Sequence, residues 1–305
     1  MITMKNELSE LHIKLPKEAL EYKEKRVSEL LKDSKVIAFL ETHQLPDDFV
    51  SKHFSYFERW IAVKNNQPSV KEYQRPGYDL ELIYQDGFLD YAYIQSKEDA
   101  LYQQQMAHLN YFRINHVPSP MKEVSFKTIA YEQETSFYIT VASQIKQLIN
   151  NNKGQGFYLH GSIGSGKTYL MACLSNDLAR QKKSVSFVRM NELLGELKSF
   201  FNDTTSTNEI MDGLMTSYCL VIDDIGAENV SAWGRDEILF NVLNYRMENQ
   251  LLTCFTSNLS MKELKDVYLK QQYGVVDENK VNRLMERILT LAKPLTLYGD
   301  SRRKY

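Results

Sequence analysis

The chain has 305 residues, of which 43% are hydrophobic and 25% are charged. This composition is typical of a folded globular protein of about two domains and excludes a chain that is mainly disordered. The net charge of −2 excludes a protein that is basic throughout, although residues 280–305 carry seven basic and two acidic side chains. Any contact with nucleic acid is therefore expected in the C-terminal part of the chain.

The sequence also excludes a membrane-spanning protein and a disulfide-rich protein. The longest apolar run, Tyr169–Leu174, is far shorter than the ~20 residues of a membrane span. The first residues contain no apolar signal segment. The three cysteines are isolated from one another, so neither a zinc cluster nor a disulfide framework is indicated. We therefore expect a cytoplasmic protein with no membrane partner.

Residues 1–118 predict a smaller, mainly helical N-terminal domain with a β-hairpin. Apolar residues recur at helical spacing in the first 60 residues. Two short strands, at 80–84 and 88–94, flank an Asp86–Gly87 turn, which is a strong hairpin signal. A helix is expected over 97–112. Pro118 and Pro120 favour an extended linker, and we place the domain boundary there.

Residues 121–305 predict an α/β domain. Short apolar segments at 156–160, 185–189, 218–222, 252–256 and 294–298 alternate with helical patterns. Strands that alternate with helices indicate a parallel sheet covered on both faces.

A phosphate-binding loop follows the first of these strands. Gly161–Thr168 matches the pattern G-x-x-x-x-G-K-[ST] in full, between an apolar strand and a helix. Glycines let the backbone N–H groups approach phosphate, Lys167 reaches the β- and γ-phosphates, and the Thr168 hydroxyl ligates Mg²⁺. The predicted ATP-binding residues are Gly161, Ser162, Gly164, Ser165, Gly166, Lys167 and Thr168.

Two later strand ends carry candidate catalytic groups. The apolar strand at 218–222 ends in Asp223, which is expected to hold Mg²⁺, and Asp224, which is expected to orient the attacking water. Asn258 ends the next strand and either bonds the water or γ-phosphate or caps a turn. Arg283 and Arg287 share a helix face and are either salt-bridged surface residues or cations that act on a phosphoryl group.

A candidate site for single-stranded DNA lies in the same domain. Lys198 and Phe201 are three residues apart on a predicted helix, and Ser231 and Trp233 follow the Asp223–Asp224 turn. A cation, a hydroxyl and two aromatics can hold a strand backbone and stack bases. Core packing of the aromatics is the alternative. The modest charge indicates weak, salt-sensitive binding.

Together, in this order, these motifs resemble the AAA+ ATPases and, among them, the helicase-loader branch of DnaC and DnaI proteins. The segments that resemble the DnaI type are Asp223–Glu228, Trp233–Glu237 and Val36–His43. The resemblance implies a slow, Mg²⁺-dependent ATPase that loads a hexameric replicative helicase in the primosome. It also implies self-association, with Arg287 and its neighbour Arg283 acting on the ATP of an adjacent subunit. Arg302 and Arg303 either form a basic tail, which is the default, or one of them senses the nucleotide.

Two other functions remain open from the residues alone. One is a transposition helper ATPase of the IstB type, and the other is an adaptor that binds a nucleotide without hydrolysing it. The DnaI resemblance implies an N-terminal zinc-binding module with Cys and His ligands. The chain departs from that pattern, because residues 1–172 contain no cysteine. We therefore expect no structural zinc and a domain held by an aromatic core. Exposed members of that aromatic set (Phe49, Phe54, Tyr56, Phe57, Trp60) are expected to bind the helicase.

Overall fold

The structure, a computed structural model, describes residues 16–150, 155–200, 203–228, 231–270 and 277–302. Contacts divide the chain into two units, residues 1–104 and 105–305. The predicted boundary at 118–120 lies too late in the chain, because Phe112–Asn115 forms a strand that pairs with the sheet of the second unit. The α-helix predicted over 97–112 ends at Met106 and is followed by a 3₁₀ segment, Ala107–Tyr111. None of the described helices is long and apolar enough to cross a membrane.

The first unit is mainly helical and contains a hairpin. Its elements are α1 (Lys17–Leu30), α2 (Ser34–His43), α3 (Asp48–Lys52), α4 (Phe54–Lys64), a 3₁₀ segment (Pro68–Tyr73), β1 (Tyr78–Gln85), β2 (Phe88–Gln95) and α5 (Lys97–Met106). The two strands pair antiparallel from Tyr78↔Gln95 to Gln85↔Phe88. Asp86 and Gly87 both have positive φ (50° and 82°), as the tight two-residue turn of such a hairpin requires.

An aromatic core holds this unit together, as expected from the sequence. Phe57 and Trp60 on α4 are buried, and the Trp60 indole N–H donates to the Leu80 carbonyl at 3.1 Å. Phe49, Phe54 and Tyr56 are only partly buried against the same core, so the five aromatics are not all hidden, but none of them is fully exposed. Helices α1 to α4 and the hairpin thus bury two of the five and cover the others in part.

The second unit is a parallel sheet covered by helices. Its strands are β3 (Phe112–Asn115), β4 (Gly156–Gly161), β5 (Val185–Arg189), β6 (Cys219–Asp223), β7 (Leu252–Ser257) and β8 (Ala292–Leu297). Its helices are α6 (Ser136–Gln147), α7 (Lys167–Arg180), α8 (Met190–Ser199), α9 (Thr204–Thr216), α10 (Phe240–Glu248), α11 (Met261–Leu269) and α12 (Glu278–Leu291), with a π-helical segment at Trp233–Leu239.

The six strands lie in the order β3-β5-β6-β7-β4-β8, and every neighbouring pair is parallel. Alternate residues of β6 enter opposite cores: Val221 packs with α6 and α7, whereas Leu220 and Ile222 pack with α8 and α10. Burial on both faces explains why the strand sequences are almost continuously apolar. The carboxyl ends of all six strands therefore reach the same edge of the sheet, which we call the carboxyl edge.

A buried arginine lies near the amino ends of β6 and β7, on the side of the sheet opposite the carboxyl edge. Arg246 on α10 is 0% exposed, and its guanidinium has no carboxylate partner among the contacts of the described residues. It donates to the Thr253 hydroxyl at 2.9 Å and to main-chain carbonyls of Leu214, Met215, Ser217 and Leu252 at 2.7–3.1 Å. Because these acceptors lie at or just before the starts of β6 and β7, Arg246 ties together the two strands that carry the acidic and amide groups of the site.

We expect Arg246→Met to lower the free energy of unfolding by about 3 kcal/mol, since an apolar side chain of similar length leaves several buried carbonyls without donors. The midpoint of urea denaturation measures the change. Arg113→Met is the control, because Arg113 pairs with Asp212 at the surface and should contribute only ~0.5 kcal/mol. Equal midpoints for the two variants would contradict this role of Arg246.

Candidate active site

The phosphate loop leaves the carboxyl end of β4 and leads into α7. Gly161 has φ 147°, and a Cβ at this position would collide with the Leu297 carbonyl of neighbouring β8. Gly166, the N-cap of α7, has φ 102°, which glycine adopts at little cost. A side chain at position 161 would collide with β8, and one at position 166 would strain the backbone. Glycine at both positions therefore permits the loop conformation that the sequence motif predicts.

Lys167 is buried and crosses the loop from the start of α7. Its Nζ donates to the carbonyls of Gly161 at 3.0 Å and Ser162 at 2.8 Å, and to Asn258 Oδ1 at 2.8 Å. The ammonium thus lies between the phosphate loop and the end of β7. Each of these acceptors is one that an anionic phosphate can replace, because phosphate oxygens bind a cation more strongly than neutral carbonyls do.

A hydroxyl–carboxylate group joins the phosphate loop to β6. Asp223, 2% exposed, accepts hydrogen bonds at Oδ1 from Thr168 Oγ1 at 2.9 Å and Thr256 Oγ1 at 2.6 Å. Arg189 Nε lies 3.7 Å from Asp223 Oδ2. Burial raises the pKa of Asp223, and the two hydroxyls and then Arg189 oppose that rise. The predicted Mg²⁺ ligands, Thr168 and Asp223, are therefore in direct contact.

Asp224 and Asn258 lie side by side at the carboxyl edge. Asp224 has φ 60°, and its backbone N–H donates to Thr256 Oγ1 at 2.9 Å. Asn258 Nδ2 donates to Asp224 Oδ1 at 3.3 Å, while its Oδ1 receives the Lys167 bond. Both side chains are exposed toward the cavity, unlike buried Asp223. The structure therefore brings together the two residues predicted to orient water.

These groups line a cavity of about 790 Å³, a size typical of small-molecule sites. One polar end contains Lys167, Thr168, Asp223 and Asn258, and the remaining wall includes the apolar residues Met121 and Ile129. Ser165 Oγ in the phosphate loop is buried with no hydrogen-bond partner among the described residues. A loop with an unsatisfied buried hydroxyl, a nearby ammonium and inward-facing backbone fits the phosphates of a nucleotide.

Several polar residues of the cavity wall were not predicted from the sequence, among them Arg189, Glu134 and Tyr138. Arg189 is the last residue of the apolar strand β5. Its place at the carboxyl end of a strand is the signal that sequence reasoning missed. Glu134 and Tyr138 come from the start of α6, which no motif connects with nucleotides. Arg302, for which the sequence allowed a nucleotide-sensing role, lines the cavity, whereas Arg303 lies outside the described residues.

Comparisons with known proteins place the chain in a family. A family model described as IstB-like ATP binding protein matches residues 71–305. The replicative helicase loader DnaI of Bacillus subtilis (strain 168) is 30% identical over 289 residues, which covers 92% of this chain and 93% of that protein. The chain belongs to the DnaI-type family of AAA+ helicase loaders. The family resemblance inferred from the sequence is thus confirmed.

Solved structures of this loader family agree with the fold. A crystal structure of DnaI aligns with a TM-score of 0.53 and 30% identity over 64% of this chain and 99% of that one. A proposed primosome component from Streptococcus pyogenes aligns with a TM-score of 0.52 and 27% identity over 66% of this chain and all of that one. By sequence alone, the replicative helicase loader DnaC of Escherichia coli (strain K12) is 26% identical over 138 residues, which covers 44% of this chain and 56% of that protein. The predicted parallel-sheet AAA+ fold is confirmed.

The two arginines predicted to act on a neighbouring subunit lie on α12, apart from the cavity wall. Arg287 packs its guanidinium over the Phe240 ring, 5.1 Å from the centroid, and pairs with Glu286 at 3.0 Å. Arg283 is exposed. Neither residue lines the nucleotide cavity of its own chain as far as the structure describes it. Their action on a second copy of this loader-family chain stays a prediction.

Three of the four candidate DNA residues are described, and Phe201 lies outside the described residues. Lys198 is exposed near the end of α8. Ser231 Oγ accepts from the Gly234 N–H at 3.1 Å, and Trp233 is partly buried against the core. A Cβ on Gly234 would lie 3.0 Å from Leu194, one helical turn before Lys198 on α8. The segment with Ser231 and Trp233 therefore packs against the helix that carries Lys198.

The described residues contain no group of three or more His, Cys, Asp or Glu side chains placed to hold a metal ion. The cysteines at 173, 219 and 254 are buried and free.

We expect Asp223→Asn to stabilise the ligand-free protein at neutral pH, by up to about 1 kcal/mol, because it removes a buried charge. When the pKa of a carboxyl group is higher in the folded state than its unfolded value of about 3.9, the free energy of unfolding falls as pH rises between the two values. The amount by which the free energy of unfolding of Asp223→Asn exceeds that of the wild type should therefore grow from pH 4 to pH 7. Urea denaturation at both pH values, without Mg²⁺, measures it. The exposed Asp224→Asn is the control, and a pH-independent difference for Asp223→Asn would contradict the prediction.

Proposed function

We propose that this chain is an ATP-dependent loader of a replicative DNA helicase, with weak binding of single-stranded DNA. One observation carries the proposal: the alignment to DnaI covers 92% of the chain, so it necessarily includes much of residues 1–70, which the IstB-like model leaves out. A transposition helper of the IstB type remains the second candidate. It rests on the family model for residues 71–305 alone.

ATP is the proposed ligand of the cavity, with its phosphates on Gly161–Thr168. Mg²⁺ would be held by Thr168 and Asp223, which are already in contact, and would supply charge neutralisation of the phosphates. Lys167 would exchange its carbonyl acceptors for phosphate oxygens. The apolar wall near Met121 and Ile129 would exclude water from the nucleoside.

Slow hydrolysis is proposed to rest on Asp224 and Asn258. Asp224 would accept a hydrogen bond from the attacking water, and Asn258 would link that water to the γ-phosphate side of the loop through its contact with Lys167. Asp224 is one methylene shorter than glutamate, so the water is held less closely and turnover is low. Self-association through the ATPase domain, with Arg287 or Arg283 acting on a neighbour, belongs to the same proposal. For Arg287, this action requires it to leave Glu286.

We expect Lys167→Ala to abolish ATP binding, because it removes the cation of the phosphate loop. Asp224→Asn should keep the affinity within about threefold and lower turnover at least tenfold, since only the water-orienting carboxylate is lost. Equilibrium titration with a fluorescent ATP analogue and a phosphate-release assay measure the two effects.

The same two measurements, on the wild type and on Lys167→Ala, separate the ATP-dependent loader from the non-hydrolysing adaptor. A wild-type chain that binds ATP through Lys167 but releases no phosphate, even with helicase and DNA present, would favour the non-hydrolysing adaptor. Unchanged ATP affinity in Lys167→Ala would show that the nucleotide site is assigned wrongly.

The N-terminal unit is proposed to bind the helicase, and the ATPase unit to bind single strands. Exposed apolar side chains of the first unit, among them Phe88 (77% exposed) and Tyr22, replace the buried aromatics as candidate contacts. Lys198 and Trp233 are the proposed DNA contacts. A cytoplasmic location is part of this proposal.

We expect a chain without residues 1–104 to lose helicase capture and keep ATP binding, because the second unit has its own complete core. Lys198→Ala should weaken single-strand binding about threefold and keep helicase capture. Lys182→Ala is the matched control, since exposed Lys182 follows α7 at the opposite edge of the sheet. Pull-down and fluorescence anisotropy measure these outcomes. Full helicase capture by the shortened chain would refute the division.

A further inference from the structure

The apolar wall of the nucleotide cavity comes from a segment that has neither an α-helix nor a strand. We call residues 118–130 the wall segment, and its regular structure is limited to two 3₁₀ turns, Ser119–Met121 and Phe126–Thr128. Four of its residues line the cavity: Pro118, Met121, Ile129 and Ala130. Helix and sheet hydrogen bonds therefore do not fix the wall segment, and its backbone groups need other partners.

Asn176 on α7 binds the wall segment from a fully buried position. Its side chain is 0% exposed, and Nδ2 donates to the main-chain carbonyls of Met121 and Val124, both at 2.9 Å. Its Oδ1 atom has no hydrogen-bond partner among the described residues. Because both partners of the side chain are acceptors, the –NH₂ group is the part of this asparagine that the fold uses.

Two further side chains bind carbonyls of the wall segment. Arg180, one turn later on α7, donates to the carbonyls of Glu123 at 2.9 Å and Val124 at 3.3 Å. His108 Nε2 lies 2.9 Å from the Lys122 carbonyl. Four consecutive carbonyls are thus bound by side chains that lie outside the cavity wall as the structure describes it. These carbonyls bond away from the cavity, and the wall that remains is apolar.

Asp177 anchors the other half of the wall segment. Its Oδ2 accepts from Ser125 Oγ at 2.9 Å and from the Phe126 N–H at 3.1 Å. Phe126 is fully buried and begins the 3₁₀ turn that leads to Ile129. Asp177 Oδ1 accepts from Arg180 at 2.9 Å, so the side chains of α7 that hold the wall segment also hold one another.

The helix that holds the wall segment is the one that begins at the phosphate loop. Lys167 and Thr168, in the first turn of α7, line the polar end of the cavity. Asn176 lies further along the same helix, where a rise of ~1.5 Å per residue separates it from the phosphates. One rigid helix therefore sets the positions of both the phosphate end and the apolar wall.

We propose that Asn176 is a positioning residue for the nucleoside part of ATP. The inference rests on the proposed function, since it needs ATP in this cavity with its phosphates on the loop. Asn176 acts through Met121, which lines the cavity, and not by contact with the ligand. Dispersion contacts weaken when a gap of even a fraction of an ångström opens, so a displaced wall binds the nucleoside poorly. The phosphates keep all of their own contacts.

This role predicts different effects on two ligands. ATP has a nucleoside and a triphosphate, whereas inorganic tripolyphosphate has only the phosphates. A displaced wall weakens the binding of ATP and leaves the binding of tripolyphosphate unchanged. A loss of stability alone lowers the fraction of folded chain and changes the apparent affinity for both ligands by the same factor.

The test is displacement of a fluorescent ATP analogue from the full chain by ATP and, separately, by tripolyphosphate, with Mg²⁺ at one fixed ionic strength. Asn176→Leu keeps the approximate shape of the side chain and removes its donors. We expect it to raise the Kd for ATP about tenfold and the Kd for tripolyphosphate less than about twofold. Arg180→Met, at the partly exposed end of the same contacts, should raise only the Kd for ATP, about threefold, and it tests the inference even if Asn176→Leu does not fold.

Arg246→Met is the matched control. It also removes donors from buried main-chain carbonyls, but these lie near the amino ends of β6 and β7 and outside the wall segment. It should change the Kd values for ATP and tripolyphosphate by the same factor. Urea midpoints give the folded fraction of each variant.

Two results would overturn the inference: ATP affinity that is unchanged in Asn176→Leu and Arg180→Met, or Kd values for the two ligands that rise by the same factor. ATP binding by the wild type that does not depend on Lys167 would overturn the proposed function and this inference together. Lys167-dependent binding with the same ratio of the two Kd values in every variant would overturn this inference alone.

Discussion

The parallel direction of all six strands is the constraint on which the site of the second unit depends. Because every strand ends at the carboxyl edge, side chains from distant parts of the chain meet there without any loop having to reach across the molecule. The ends of β4, β5, β6 and β7 supply Gly161, Arg189, Asp223 and, one residue beyond, Asn258. The segment after β8 adds Arg302. The cores on the two faces of the sheet hold these strand ends in register.

Several charged side chains of the cavity have partners before any ligand is present. Arg189 pairs with Glu192 at 3.0 Å, Arg302 pairs with Glu134, and buried Asp223 takes two hydroxyl hydrogen bonds. A polyanion that enters the cavity would therefore replace some of these existing contacts with its own.

The sequence predicted the part of the site that local rules govern. The phosphate loop, Asp223 and Asn258 follow apolar strands in a motif whose spacing is fixed by phosphate geometry, and the structure brings them together. Arg189 was missed, and a basic tail was the default for Arg302, because neither arginine lies in a recognised motif. The structure shows that both line the cavity. The boundary was misplaced because β3, four residues long, is defined by its pairing with β5 and not by its own sequence.

The left-handed backbone at Asp224 limits which acid this site can carry. Asp and Asn adopt φ near +60° more readily than longer or β-branched residues, at which the conformation costs ~1–2 kcal/mol. Glutamate at this position would carry that cost or would need a different turn after β6, where the Asp224 N–H bonds Thr256. The length of the acid at position 224 and the backbone geometry of the turn are therefore physically linked, and a change in one affects the other.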